Sequence, residues 1–271
     1  MLALPSVFTT ASPAPLATIP AGDDPATVSF IAVTYGTGPI IIDSLASLAD
    51  TMALTDVPYE CIVVDNPHPA EPRRALRHLL LSTRGVHVVR ADRNLGFGGG
   101  CELGALHARG SVLAFVNPDI MFLAGWIEPL LDCISSRGTS IAAPVLLNVD
   151  GSVQEAGQVV RRDASTAPNP HSPGPDEVVS CDYASAACWV MRRDEHERVG
   201  GFDPGFHPAY YEDVDLALRA ARLGGTSVVH GSSRVIHRRG SSTADANLAD
   251  TRPQRATLLT RWPILRWTQS T

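Results

Sequence analysis

Lysine is absent from this 271-residue sequence, in which all 22 basic residues are arginine. That absence excludes a Walker-type phosphate loop, whose lysine reaches the terminal phosphates. It also excludes Schiff-base and pyridoxal-phosphate chemistry, which require a lysine amine. Cysteine is scarce as well. Cys61, Cys101, Cys133, Cys181 and Cys188 are odd in number, stand in apolar or glycine-rich surroundings and show no CxxC spacing. They read as reduced core residues, not as a disulfide frame or a zinc site. No apolar run approaches the roughly 18–20 residues that a membrane-spanning helix requires. The first positive side chain is Arg73, so no charged region of a secretory signal is expected, and the compartment read from the sequence is the cytoplasm. A net charge of -6 argues against a nucleic-acid partner, since such proteins gather basic charge against phosphates.

What the sequence does hold is apolar material, 44% of its residues, enough for one α/β core at this length. Residues 1–26 are rich in Ala, Pro, Ser and Thr without a sustained period and are expected to form a disordered extension. From Val28 onward, short apolar runs alternate with helical patterns. Runs at 28–34, 61–64, 86–90 and 111–116 read as buried strands. Stretches at 40–54, 73–81 and 100–109 read as helices, with a glycine-rich turn at 94–100. Such alternation predicts a mainly parallel sheet with helices on both faces. Ligands then gather beyond the carboxyl ends of the strands, where Tyr35, Asp65 and Asp119 fall. Further on, 168–175 is proline-rich and reads as a mobile loop, 183–191 is apolar, and 213–223 reads as a helix stopped by Gly224 and Gly225.

Four local patterns could carry chemistry, and each also has a plain structural meaning. Asn117-Pro118-Asp119 ends a buried strand, so its carboxylate stands where a hard cation on phosphate oxygens would need it; the same residues also favour a β-turn. Tyr211-Glu212-Asp213-Val214-Asp215 puts three acids at a helix start, where the dipole lowers a carboxylate pKa and suits an ionised base. Compensation of that dipole, about 0.3–1 kcal/mol per acid, would place acids there without any catalytic role. His237 precedes Arg238 and Arg239 and could join a metal and diphosphate site, or end a strand as an ordinary polar residue. Asn94 to Gly100 leaves room for a phosphate or ribose. It is not a dinucleotide fingerprint, because it follows the third strand and lacks the acid expected about 20 residues on.

Taken in order, Val33-Thr34-Tyr35, Val63-Val64-Asp65-Asn66, Asn94-Leu95-Gly96-Phe97-Gly98, Asn117-Pro118-Asp119, Gly200-Gly201-Phe202-Asp203, Glu212-Asp213-Val214-Asp215-Leu216 and His237 resemble the family 2 glycosyltransferases. Within that family they look most like the rhamnosyltransferases of bacterial cell-envelope assembly. The resemblance covers roughly residues 28–242. It implies a GT-A fold in a single catalytic domain, with 27–120 as the nucleotide-binding half, 121–242 as the acceptor-binding half and 243–271 as a C-terminal arm. It also implies an inverting, metal-dependent transfer, with rhamnose from a dTDP-activated donor as the first expectation. The acceptor would be a hydroxyl of a glycan, a lipid-linked or a small-molecule partner. By match to the family's motifs, Thr34, Tyr35 and Asp65 hold the nucleotide, and Asn94, Gly96, Asn117, Asp119 and Arg238 complete the donor site. Asp119 and His237 bind Mg2+ or Mn2+, Asp213 is the general base, and Trp189, Tyr211 and Glu212 meet the acceptor.

Some positions depart from the family's pattern. Gly36 and Glu102 stand where asparagine is usual, and residues 67–72 replace its Ser and Asp residues. A glutamate near a diphosphate is repelled unless it points at the metal, an arginine or a sugar hydroxyl, so Glu102 is expected to do one of these. Two rival readings differ in chemistry. A sugar nucleotidyltransferase would need a lysine-assisted phosphate loop, which is missing. A silent sugar-nucleotide binder would need no base, and Glu212 and Asp213 speak against it. At the end of the chain Arg255, Arg261 and Arg266 alternate with Leu258, Leu259, Trp262, Ile264, Leu265 and Trp267. That mixture suits an anionic membrane interface, here the inner face of the plasma membrane. With Pro263 interrupting any long helix, it suits an arm packed on the domain somewhat better.

Overall fold

The computed structural model describes residues 28–68, 80, 83, 85–238 and 250–263. The extension expected at 1–26, the helix expected at 73–81 apart from Leu80, and the arm beyond Pro263 lie outside the described residues. Val28–Thr34 (β1) is buried at every position, as a strand covered on both faces must be. It is followed by Ile40–Met52 (α1), Tyr59–Asp65 (β2), Val86–Arg90 (β3), Gly96–His107 (α2), Val112–Val116 (β4) and Ile120–Phe122 (β5). The second half comprises Glu128–Ser135 (α3), Thr139–Leu147 (β6), Val153–Glu155 (β7), Gln158–Val160 (β8), Thr166–Pro168 (β9), Val178–Cys181 (β10) and Cys188–Arg192 (β11). Arg193–Val199 (α4), Glu212–Arg222 (α5), Thr226–His237 (β12) and Arg252–Arg261 (α6) complete it.

The main sheet runs β10-β12-β6-β11-β4-β1-β2-β3. β1 is parallel to β2 and β4, and β2 to β3; β6 and β12 form a second parallel pair. Between these blocks β11 runs antiparallel to both neighbours, and β10 and β5 run antiparallel to β12 and β7 to β6, reversals that the alternation of strands and helices did not predict. The effect of the β11 reversal is positional. The approach to β11 reaches the sheet edge at which β4 ends, where Asn117 N donates to Ala187 O at 2.7 Å.

Alternate strand residues feed two separate cores, as a pleat of period two dictates. Ile31 and Val33 pack with Cys101 and Ala105 of α2 and with Val214 and Ala217 of α5. Phe30 and Ala32 pack on the other face with Ile41 and Leu48 of α1, Leu130 of α3 and Trp126. Helix α2 lies so close to β1 that a Cβ on Gly104 would come within 2.3 Å of Ile31 Cγ2; glycine is what permits that contact.

The glycine-rich segment is shorter as a turn than the sequence suggested, because the helix already begins at Gly96. Asn66 holds both ends of the turn, its Nδ2 donating to Gly96 O at 2.9 Å and its Oδ1 accepting Leu95 N at 3.2 Å. Asn94 Oδ1 takes the Gly96 amide at 2.9 Å. Side chains thus satisfy backbone groups that a helix start leaves open. In the second half, Pro168 closes β9, and the loop after it is tied down by Asn169 Nδ2 to Ser180 O and by a His171–Glu177 pair. Helix α6 turns back onto the domain: Leu258 is fully buried and Arg255 pairs with Asp163. Among the described residues, no helix is long and apolar enough to cross a membrane.

Candidate active site

A cavity of about 200 Å³ lies at the carboxyl edge of β1, β2 and β4. The strand ends contribute Tyr35, Asn66 and Asn117, the start of α2 contributes Asn94, Gly96 and Phe97, and the approach to β11 contributes Ser185, Ala186 and Ala187. Pro208, Ala209 and Tyr210, with Glu212 and Asp213, close it from the side of α5. Two halves of the chain thus meet across one space.

The contact between α2 and the segment before α5 is very tight. Phe97 N donates to Pro208 O at 2.8 Å, and a Cβ on Gly96, whose φ is +73°, would sit 2.4 Å from that oxygen. Only glycine fits both the left-handed backbone and the approach. Beyond it Tyr210 and Tyr211 also adopt left-handed backbone, with φ of 78° and 70°, conformations that for such residues cost energy and must be held by their surroundings.

Two acids face one another electrostatically at the start of α5. Burial pushes the Asp213 carboxyl up to about 6, although amides of Ala186 (3.3 Å) and Val214 (2.8 Å) donate to it and oppose the shift; the Glu155 charge adds to it. The lowered pKa expected from the helix dipole is therefore overturned. A terminal dipole contributes only about 0.3–1 kcal/mol, and loss of water outweighs it. Glu212 is buried, its Oε2 has no hydrogen-bond partner among the described residues, and burial, then the Asp213 charge, holds it well above the usual carboxylate range.

Beside the cavity, Asp119 Oδ1 lies 3.3 Å from His237 Nε2, both residues being largely buried. Register brings them together, because β5 follows Asp119 directly and Ile120 pairs with His237 across the sheet. Gln154 decides which imidazole nitrogen does what. Its Nε2 donates to Asn148 Oδ1 at 2.9 Å and to His237 O at 3.0 Å, which turns its Oε1 toward His237 Nδ1 at 2.9 Å. Nδ1 then donates to Gln154, which leaves Nε2 facing Asp119, with Asn117 Nδ2 at 3.4 Å. A carboxylate oxygen and an imidazole nitrogen so disposed are a suitable donor pair for a divalent cation, with Gln154 as the partner that fixes the ring. Among the described residues, no group of three or more His, Cys, Asp or Glu side chains is arranged to hold a metal.

Other expected site residues are placed differently. Trp189 is fully buried and stacks on Phe202 at 6.0 Å, so the expectation that it meets an acceptor is corrected: β11 is an inner strand and both its faces are core. Thr34 is likewise buried, its hydroxyl donating to Val64 O at 3.1 Å, which removes that side chain from the nucleotide site. Asp65 ends β2 half-buried, and Asn66, next to it, lines the cavity instead. Tyr211 packs against the core, and it is Tyr210 that faces the cavity. Arg238 pairs with Asp43 of α1 at 3.1 Å and gives only its amide to Asp119 O. Among the described residues no arginine pairs with Glu102. Its Oε1 accepts from His196 Nε2 and Phe202 N.

Sequence reasoning passed over Asn66, Gln154, Glu155 and Tyr210. Asn66 and Tyr210 adjoin residues already singled out, but nothing local marks Gln154 or Glu155.

Comparison with known proteins adds an independent line. The family described as glycosyl transferase family 2 matches residues 29–200. The N-acetylglucosaminyl-diphospho-decaprenol L-rhamnosyltransferase of Mycobacterium tuberculosis is 28% identical over 243 residues, which span 79% of this chain and 76% of that protein. Among solved structures, GalNAc-T7 with UDP, GalNAc and Mn2+ aligns with a TM-score of 0.72 at 18% identity, over 88% of this chain and 48% of that one. The mannosyltransferase PcManGT from Pyrobaculum calidifontis, in complex with GDP-Man and Mn2+, gives 0.56 at 16% identity, over 86% of this chain and 61% of that one. The chain thus spans less than two thirds of either structure, and likeness at these identities speaks for the fold alone, which is GT-A.

Proposed function

The chain belongs to glycosyl transferase family 2, and from that premise we propose that it moves a sugar from a nucleoside-diphosphate donor to an acceptor hydroxyl, with inversion, using Asp213 as base. The observation that carries this reading is geometric: Asp213 and Glu212 line the same cavity as Tyr35, Asn66 and Asn117 at the sheet edge, and burial raises both carboxyls above their ordinary values. In the step proposed, the acceptor oxygen bonds to the anomeric carbon as the bond from that carbon to the diphosphate oxygen breaks. The hydroxyl proton passes to the Asp213 carboxylate, and the electron pair departs with the nucleoside diphosphate. No protein nucleophile is required.

Asp119 and His237 would hold Mg2+ or Mn2+, which supplies positive charge against the leaving diphosphate. Gln154 keeps the His237 ring oriented, Asn66 and Gly96 shape the wall of the donor cavity, and Tyr35 and Asn117 line it. The name of the mycobacterial relative supports rhamnose as the sugar and a lipid-linked N-acetylglucosaminyl diphosphate as the acceptor; we extend that reading to a dTDP-activated donor and to action at the inner face of the membrane.

The test is release of nucleoside diphosphate from dTDP-rhamnose, UDP-N-acetylglucosamine and GDP-mannose, in Mn2+, with an N-acetylglucosaminyl-diphospho-lipid as acceptor. Acceptor-dependent release from dTDP-rhamnose, lost in Asp213→Asn, is expected. Equal release by wild type and Asp213→Asn, or none with any donor, would overturn the reading.

A further inference from the structure

Asp215 is fully buried yet takes no part in lining the cavity. Its Oδ2 accepts Arg219 Nε at 2.8 Å and Arg261 Nη1 at 3.0 Å, and its Oδ1 accepts Trp262 Nε1 at 2.9 Å. Arg219 belongs to α5, whereas Arg261 and Trp262 come from the end of α6, far along the chain. Arg261 also pairs with Asp203 and lies over the Phe206 ring, 5.7 Å from its centroid. At the other end of α6, Gln254 Nε2 donates to His207 O at 3.4 Å. Helix α6 therefore grips the chain on both sides of the cavity-lining stretch: at Asp203, Phe206 and His207 before it, and at Asp215 after it.

That stretch includes the two left-handed tyrosines and ends on Asp213. A backbone strained in this way persists only where its flanks are fixed. A buried carboxylate stripped of a partner is strongly destabilising, so Asp215 makes the grip an exacting one. Asp203 and Asp215 are matched by Arg219 and Arg261, so the polar ends of Arg261 and Trp262 are engaged within the domain.

We propose that α6, through Arg261 and Trp262, is a positioning clamp that holds segment 203–215, and with it the Asp213 carboxylate, in the geometry that turnover requires. The proposal rests on the transferase reading above and concerns a helix outside the matched family span of 29–200.

Hydrogen exchange over 203–215 and steady-state kinetics on the full chain test it. Arg261→Met should raise amide exchange there by roughly 10-fold while β1 and β4 keep their protection. It should lower kcat about 10-fold with donor KM within about 2-fold. Water admitted beside Asp213 should also move the acid limb of the pH profile below about 6. Trp262→Phe, which loses one bond and keeps the ring, should show the same pattern more weakly and serves if Arg261→Met does not fold. Arg255→Met, which breaks the exposed pair to Asp163 on the same helix, should do neither. Wild-type exchange over 203–215 in both clamp variants, or a matching response in Arg255→Met, would overturn the clamp. A wild type that turns over no donor would sink the transferase reading, and the exchange measurements would still decide the clamp.

Discussion

Glu102 Oε1 lies 2.9 Å from His196 Nε2 and accepts the Phe202 amide at 2.7 Å through the same atom. This carboxylate joins α2 to α4 and to the loop after it, and His196 is itself buried. Glu102→Ala would leave two donors without an acceptor, at a cost of about 1–3 kcal/mol each where they are buried. The expected outcome is a fall in Tm of several degrees with donor affinity within about 2-fold of wild type, whereas Glu102→Gln, which keeps an oxygen, falls less. Thermal melts and donor titration check both; a large affinity change with an unaltered Tm would return Glu102 to the donor site.

Turnover should rise through about pH 6 as Asp213 loses its proton. The sign follows from the base role: only the carboxylate accepts a proton, so activity is lost as pH falls through that value and is level above it. Asp213→Asn should lower kcat by roughly 10²-fold or more with little change in donor affinity. Glu155→Gln removes a charge that raises the Asp213 pKa while keeping an oxygen for the Ser185 amide, so the limb should move to lower pH. A pH profile of kcat for the three proteins is the measurement.

Asp119→Ala should abolish the gain in donor affinity that Mn2+ confers. Gln154→Ala leaves both proposed ligands in place but frees the His237 ring, and loss of such an orienting bond typically weakens metal binding 10–100-fold. Calorimetric titration of donor with and without Mn2+ separates the cases. Unchanged metal dependence in both variants would remove the ion from this pair.

Gly96→Ala places a methyl group 2.4 Å from Pro208 O on a backbone of φ +73°, so the 207–210 segment must move. A loss of about 1–3 kcal/mol is expected, with donor KM rising because the same movement opens the cavity wall. Gly99→Ala, on the same helix with only the Leu95 side chain near its Cβ, is the milder comparison in melts and kinetics.

The strands at 28–34 and 61–64 were legible because buried parallel strands write themselves as near-continuous apolar runs. The edge positions of Asp119 and Asp213 were legible because each follows or begins an element with clear ends. Trp189 was not, since a tryptophan beside motif residues looks the same in sequence whether its strand is inner or outer, and the reversed β11 is what makes it inner. The direction in which Glu102 points depends on loop 200–202, about a hundred residues away. The Asp213 pKa depends on enclosure by Ala186 and its neighbours, and helix position alone suggested the opposite sign. Asp215 reads as one more helix-start acid until α6 supplies Arg261 and Trp262.

Among the described residues β12 is the last strand and yet an inner one, flanked by β6 and β10 with β5 against its end. Segments nearer the N-terminus emerge first during synthesis, so Asp119 exists well before the partner that completes its pair. A ribosome that stops short of residue 226 would release a chain that carries β1 to β4 but lacks β12 and His237 altogether. Such truncated translation products would lack the imidazole that faces Asp119 and, with it, half of the proposed metal pair.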